Sequence, residues 1–152
     1  MANPSNTLKE VEEALKLVIE HLIDSQEGFQ KIGDELKDEK LKRYFLAESL
    51  KRAQFRGDLE TVLHQEGVHD IKESGSASGA ILRGWGSLKH AFGGGDHSLL
   101  ETAEQGEDAI KEAYADALNR ELPLPIRQLL TSQATDIGYS HDYVKAARDS
   151  SK

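Results

Sequence analysis

Apolar residues recur at three- and four-residue intervals along most of the chain, with polar residues between them. At about 100° per residue this spacing gathers the apolar side chains of a segment on one stripe of an α-helix, and no alternating strand pattern competes with it. The pattern predicts an all-α protein with helices at about 7–37, 39–66, 76–92, 98–121 and 125–147.

Local signals place the ends of these helices. Thr7 and Ser98 each precede a glutamate by three residues, which is the spacing of a capping box at a helix start. Asp38 can cap the second helix through its carboxylate, and Gly67 is a natural stop for it. Pro125 suits the first turn of the last helix, where the missing N–H is not needed.

These segments form two helical hairpins joined by one long connection. Four long helices with one long crossover have the connectivity of a ferritin-like four-helix bundle. A length of 152 residues predicts one domain spanning 1–152. The short helix at 76–92, which contains Trp85, is expected to lie across the bundle, on a second apolar strip of the second helix formed by Leu46, Leu50 and Ala53.

Several polar residues fall on the apolar stripes, where an unpaired charge is costly. Glu107 lies on the stripe of the helix at 98–121, while Glu48 and Arg52 are four residues apart on the second helix and therefore adjacent on its surface. We expect Arg52 to supply the positive charge that pairs with these acids. The predicted buried polar network consists of Gln26, Glu48, Arg52, Glu107, Gln133 and Ser140.

The predicted network does not have to form one layer. Counted back from the turn at Pro123, Glu107 is nearer the level of Ile137 to His141 than that of Gln133. The polar groups can therefore form two layers along the bundle.

The same positions allow an alternative interpretation as a metal site. Ferritin-like di-metal proteins hold two metal ions with inward glutamates and Glu-x-x-His pairs. Here Lys51 stands three residues after Glu48, where such a histidine would be needed. A reduced site of Glu48, Glu107 and His141 could bind iron or manganese, whereas the favoured interpretation has no metal, no cofactor and no catalytic residue.

Composition narrows the classes of partner and chemistry. A formal net charge of −8 disfavours nucleic acid as a partner, and the absence of cysteine excludes disulfides, thiolate metal sites and cysteine nucleophiles. No phosphate-binding loop or nucleophile elbow is visible. Since the chain has neither a signal-like N-terminus nor 18 consecutive apolar residues, we expect no membrane insertion and a cytoplasmic location.

Several segments together resemble a known family. They are IDSQEGF around Asp24, FLAESLKRAQFRGDLETVL, GSASGAILRGWGSLK, GED at 106–108 followed by Tyr114 and Leu118, and Gln133 with His141-Asp142. This set is similar to a family of uncharacterised bacterial four-helix-bundle proteins in the ferritin-like superfamily. The resemblance implies the fold and no established activity. Relatives commonly have Asp-Gly where this chain has Asp24-Ser25, a difference expected to affect packing more than chemistry.

Two functions of different classes follow from this pattern. The favoured one is a non-catalytic interaction or stress-associated module with a degenerate di-metal site, which self-associates as a homo-oligomer, in the simplest case a dimer, through the second helix or the crossover helix. The alternative is an iron- or manganese-binding protein with oxidase or peroxide-scavenging activity.

Overall fold

The computed structural model describes residues 4–68, Trp85 and residues 95–151, with side chains from Leu8 onward. Within these ranges the chain forms no strand and four helices, α1 (Pro4–Glu35), α2 (Glu39–Gln65), α3 (Gly95–Leu118) and α4 (Leu124–Ser150). The all-α four-helix bundle expected from the apolar spacing is confirmed. The predicted helix at 76–92 lies outside the described residues, apart from Trp85.

Contacts at the two ends of the bundle fix the directions of the helices. The α1–α2 turn lies beside the start of α3, where the Asp96 carboxylate accepts hydrogen bonds from the backbone N–H groups of Lys37 (2.9 Å) and Asp38 (3.1 Å). Just past the end of α3, Arg120 pairs with Glu13 near the start of α1 at 3.1 Å. Consequently α2 and α3 run in one direction, and α1 and α4 run in the other. The end of α2 and the start of α3 lie at opposite ends of the bundle.

Two helices begin earlier than the capping boxes predict. α1 begins at Pro4 and α3 at Gly95, so that Thr7 and Ser98 lie inside helices and cap neither of them. For α3 the reason is the carboxylate of Asp96, which lies in the first turn and bonds to the α1–α2 turn. A tertiary contact, rather than a local box, therefore sets this helix start.

Other helix ends follow local chemistry. The Asp38 side chain accepts a hydrogen bond from the backbone N–H of Leu41 at 3.0 Å, which confirms it as the N-cap of α2. Gly67, just after α2, has a φ of +91°, a left-handed conformation that favours glycine. α3 ends at Leu118, before the predicted limit, and the Arg127 guanidinium caps this end by donating to the Leu118 carbonyl at 2.8 Å.

The apolar core consists of two clusters along the bundle axis. The cluster nearer the start of α1 includes Leu15, Leu22, Leu59, Ile110 and Leu130. The other includes Phe29, Ile32, Phe45, Leu100 and Val144. Each helix carries buried polar residues between its contributions to the two clusters, and these include Ser25 on α1, Glu48 and Arg52 on α2, Glu107 on α3 and Ser140 on α4.

Trp85 fills a notch between α1 and α3. Its indole is 4% exposed and packs edge-on to Phe29, with ring centroids 5.8 Å apart. A Cβ atom at Gly28 would lie 2.5 Å from the indole, and one at Gly106 would overlap the ring as well. Both glycines therefore make room for this side chain.

The expected position of the crossover segment, on the second apolar strip of α2, lies outside the described residues apart from Trp85 and stays a prediction. Trp85 itself contacts α1 and α3, and Leu50 on the second apolar strip of α2 is 73% exposed. Leu46 on that strip is partly covered, because it packs over Gly33 of α1. The indole fits where two glycines leave room for it. The sequence shows these glycines only as isolated helix breakers.

None of the described helices combines the length and the apolar character needed to span a bilayer.

Candidate functional site

Arg52 is the centre of the polar layer between the two apolar clusters. Its side chain is fully buried, and it donates to both carboxylate oxygens of Glu107 on α3, with Nη1 to Oε1 at 2.6 Å and Nη2 to Oε2 at 3.2 Å. Nη1 also donates to the Ser25 hydroxyl oxygen on α1 at 2.7 Å. The guanidinium carbon lies 4.7 Å from the centroid of the Phe29 ring, within cation–π range. One side chain thus connects α1, α2 and α3.

The position of Arg52 follows from the α-helical repeat. On α2 the apolar residues Phe45 and Leu59 face the core, and Arg52 lies two turns from each on the same face. Burial by itself lowers the pKa of Arg52, but the charge and hydrogen bonds of Glu107 and the charge of Glu48 raise it on balance. The guanidinium therefore remains a cation inside the core.

Glu48 is a second buried acid, less completely paired than Glu107. It is 4% exposed, with Oε2 at 3.7 Å from Arg52 Nε and Oε1 at 3.6 Å from Lys51 Nζ. Both separations exceed hydrogen-bonding distance. Burial raises the pKa of Glu48, and the charges of Arg52 and Lys51 oppose that rise. Lys51 also reaches Asp136 Oδ1 on α4 at 3.2 Å.

A separate polar layer lies farther along the bundle, at the apolar cluster nearer the start of α1. The buried Tyr114 hydroxyl on α3 donates to Gln133 Oε1 on α4 at 2.8 Å. The Gln133 amide nitrogen in turn donates to the backbone carbonyl of Phe55 at 3.3 Å. Burial raises the pKa of Tyr114, so its hydroxyl remains a hydrogen-bond donor. Gln133 is therefore bonded within a different layer from Arg52 and Glu107, as the spacing from Pro123 allows.

The structure brings Glu48, Arg52 and Glu107 together and places Ser140 buried on α4. Gln26 is only partly buried, and its contribution is a backbone carbonyl that accepts a hydrogen bond from the Ser49 hydroxyl at 2.9 Å. The side chain next to it, Ser25, makes the contact with Arg52.

Ser25 is the site residue that the sequence interpretation missed. The expectation that Asp24-Ser25 affects packing more than chemistry did not include the bond of the Ser25 hydroxyl to the buried guanidinium. A usable signal existed, since Ser25 is three residues after Leu22 and four before Phe29, both of which are fully buried. Gln26 fits the same stripe almost as well, and spacing alone does not separate neighbouring positions.

The residues do not fit a metal centre made from Glu48, Glu107 and His141. Arg52 occupies both oxygens of Glu107, and a divalent cation at that place would face the guanidinium charge. His141 is directed to Asp108, with Nε2 at 2.8 Å from Oδ1. Among residues 4–68, Trp85 and 95–151, no three His, Asp or Glu side chains converge in a way that could hold a metal ion.

Comparison with known families finds a match to one described as "Domain of unknown function (DUF2383)", over residues 10–120. The matched range contains Ser25, Glu48, Arg52 and Glu107, while Gln133 and Ser140 lie beyond it. A search of curated proteins gave no match.

Proposed function

This chain belongs to the family described as "Domain of unknown function (DUF2383)", and we propose that it is a non-catalytic helical bundle whose role is to bind other protein surfaces, first of all a second copy of itself. The observation that carries the non-catalytic assignment is the Arg52 guanidinium bonded to both oxygens of Glu107 in a fully buried position. A cation fixed in this way neutralises the acid, and its charge would repel a metal ion at the same place.

The order of the helices supports a ferritin-like relationship. α2 and α3 run in the same direction although they follow one another in the chain, and they are preceded and followed by helices of the opposite direction. This arrangement is that of bundles with one long crossover. In that context Arg52 stands where metal ions neutralise the inward acids of di-metal proteins, and the centre is a degenerate form of such a site. Bacterial origin and a cytoplasmic location stay predictions.

Metal analysis tests the non-catalytic assignment. The protein is purified after growth with added iron or manganese, its metal content is measured, and its melting temperature is compared with and without a chelator. We expect far less than one metal ion per chain and no effect of the chelator. Stoichiometric metal that is lost in Glu107→Gln but kept in Glu112→Gln, an exposed acid on the same helix, would instead establish the iron- or manganese-binding alternative, and an assay of peroxide consumption or iron oxidation would then test oxidase or peroxide-scavenging chemistry.

The surface formed by α2 and α4 supports self-association. Tyr139 on α4 is 72% exposed. A groove of about 370 Å³ between the two helices is lined by Tyr139 and by the oppositely charged Lys51 and Asp136. A two-fold dimer needs one patch that is complementary to itself, and apolar groups beside both signs of charge meet that need. We call this groove and its lining the α2–α4 surface, and we assign it to a homodimer. For a module of this kind, the cellular role we propose is a stress-associated one.

Light scattering coupled to size exclusion tests the dimer. The expected mass is twice the 16.8 kDa of the chain. Tyr139→Glu is expected to give monomers because it places a charge in the α2–α4 surface. Leu124→Glu is the matched control, since Leu124 is 64% exposed at the start of α4, away from this groove, and its variant should remain a dimer. A monomeric wild-type protein, or a dimer that Tyr139→Glu leaves intact, contradicts the proposed interface.

A further inference from the structure

Two buried polar atoms of α2 lie close together in the polar layer without bonding. Glu48 Oε2 and Arg52 Nε have no hydrogen-bond partner among the described residues. Their side chains are at most 4% exposed. Glu48 Oε2 and Arg52 Nε lie 3.7 Å apart, which is too far for a direct hydrogen bond and close enough for one small molecule to bond to both.

Ser140 belongs to the same location. Burial raises the pKa of Tyr44 to about 12, a hydrogen bond with the Ser140 side chain lowers it, and the charges of Glu48 and Arg52 act on the same phenol group. The hydroxyl of Ser140 on α4 therefore lies in the neighbourhood of the Glu48 and Arg52 side chains on α2. We call the space between these three side chains the α2–α4 seam.

The seam has an approach from solvent. Lys51, 45% exposed, lies 3.6 Å from the buried Glu48 carboxylate and 3.2 Å from Asp136 on α4. The same lysine and Asp136 line the open groove of the α2–α4 surface. Direct contacts between α2 and α4 are also the sparsest among the neighbouring helix pairs, so the seam is less tightly closed than the other interfaces.

The chemistry of the three atoms defines the class of ligand. Arg52 Nε–H can only donate, Glu48 Oε2 accepts when ionised, and a hydroxyl such as Ser140 Oγ can do either. A metal cation would be repelled by the guanidinium, and an anion by the carboxylate. A small neutral molecule that both accepts and donates hydrogen bonds suits this set, and water is the smallest molecule of this kind.

We propose that the α2–α4 seam binds a structural water molecule, which accepts a hydrogen bond from Arg52 Nε and donates one to Glu48 Oε2, with Ser140 Oγ as its third partner. Buried waters generally make about three hydrogen bonds to groups that are otherwise unsatisfied. The water connects α2 to α4 where the helices make few direct contacts.

High-resolution crystallography of the wild-type protein tests the site directly. The expected result is a solvent peak about 2.7–3.2 Å from both Arg52 Nε and Glu48 Oε2. Glu48→Gln, whose amide oxygen still accepts, should keep the peak, and Glu48→Met should lose it. A direct Arg52–Glu48 hydrogen bond, a peak with the anomalous signal of a metal, or no density at this point in the wild-type protein overturns the proposal.

The second test is a solution measurement whose main result comes from the folded wild-type protein, so it does not require a variant to fold. The buried Arg52 Nε–H should give a cross-peak to water in a ¹⁵N-edited rotating-frame Overhauser experiment. Ser140→Val, which fills the seam with a methyl group, should abolish the cross-peak, and Thr131→Val at an exposed position of α4 should leave it unchanged. An Arg52 signal without a water cross-peak in the wild-type protein contradicts the site.

Discussion

Arg52 and Glu107 form two hydrogen bonds across the bundle, at 2.6 and 3.2 Å, although neither side chain is exposed to solvent. A displacement of α2 against α3 by one helical turn, about 5.4 Å, would separate them and leave two buried charges unpaired. The apolar residues of the core tolerate such a shift far better, because one aliphatic side chain can replace another. The pair therefore helps to select one alignment of the helices.

Removal of the cation is expected to be strongly destabilising. Arg52→Met keeps the length and apolar stem of the side chain but leaves Glu107 buried without its partner, which should lower the free energy of unfolding by about 3–5 kcal/mol. Urea denaturation measures the change. Arg56→Met is the control, since Arg56 is 29% exposed and pairs with Glu60 along the surface of α2, where a pair contributes less than about 1 kcal/mol.

The double variant separates the pair from its surroundings. Arg52→Met with Glu107→Leu removes both charges, so its loss of stability should be smaller than the sum of the two single losses. Strict additivity, or an Arg52→Met protein with the wild-type urea midpoint, would show that the two residues do not depend on each other.

Ser25 should contribute measurably through its bond to Arg52. Ser25→Ala deletes the hydroxyl that accepts from Nη1 at 2.7 Å, and a hydrogen bond to a charged group contributes about 1.5–3 kcal/mol. The urea midpoint should fall accordingly, and Ser132→Ala, at an exposed position of α4, should leave it nearly unchanged. Equal midpoints for the two alanine variants would assign Ser25 to packing alone.

Glu48 should make stability depend on pH. Burial raises its folded-state pKa above 4.5, so below that pH the carboxyl is neutral in both the folded and unfolded states. As the pH rises past 4.5, the unfolded chain ionises first, and stability is lost until the pH passes the folded-state pKa. Wild type should therefore lose stability with rising pH relative to Glu48→Gln.

Urea midpoints of wild type and Glu48→Gln from pH 4 to 8 measure this loss. Arg52, Lys51, Asp136 and Glu107, which act on Glu48, are present in both proteins, so the difference between the two curves isolates the Glu48 carboxyl. Glu112→Gln, at an exposed site, should show no comparable slope. Parallel curves for wild type and Glu48→Gln contradict an elevated Glu48 pKa.

The helical architecture could be predicted because it depends on periodicity. The stripes of α1 to α4 repeat over many turns, and errors at single positions do not alter the assignment of a long helix. Arg52 and Glu107 were recognisable for the same reason, as charges at positions that the repeat directs into the core. Helix ends were less predictable, since the start of α3 depends on the contact of Asp96 with Lys37, 59 residues away in the chain.

The details of the site could be predicted only in part, because they depend on distances between helices. The repeat could not choose between Ser25 and Gln26, which lie side by side on α1, and the choice decides which side chain meets Arg52. Likewise, His141 lies on the flank of its helix, and only the relative rotation of α3 and α4 pairs it with Asp108 rather than Glu107. Spacing within one helix contains no information on that rotation.

The notch around Trp85 gives the last prediction. Gly28→Ala would place a Cβ 2.5 Å from the indole, and Gly106→Ala would also overlap it, while the opposite helix prevents the ring from moving away. Each variant should lower stability by about 1–3 kcal/mol through overpacking. Since the chain has one tryptophan, its fluorescence reports this site alone, and both variants should shift the emission to longer wavelength as the indole meets water.

Gly57→Ala is the matched control for both glycines of the notch. A Cβ at Gly57, within α2, has no neighbour inside 4 Å, and alanine in a helix is more favourable than glycine by up to about 1 kcal/mol. This variant should therefore be slightly more stable than wild type and keep the wild-type emission. If Gly28→Ala and Gly106→Ala behaved like Gly57→Ala in both measurements, Trp85 could not occupy the notch between α1 and α3.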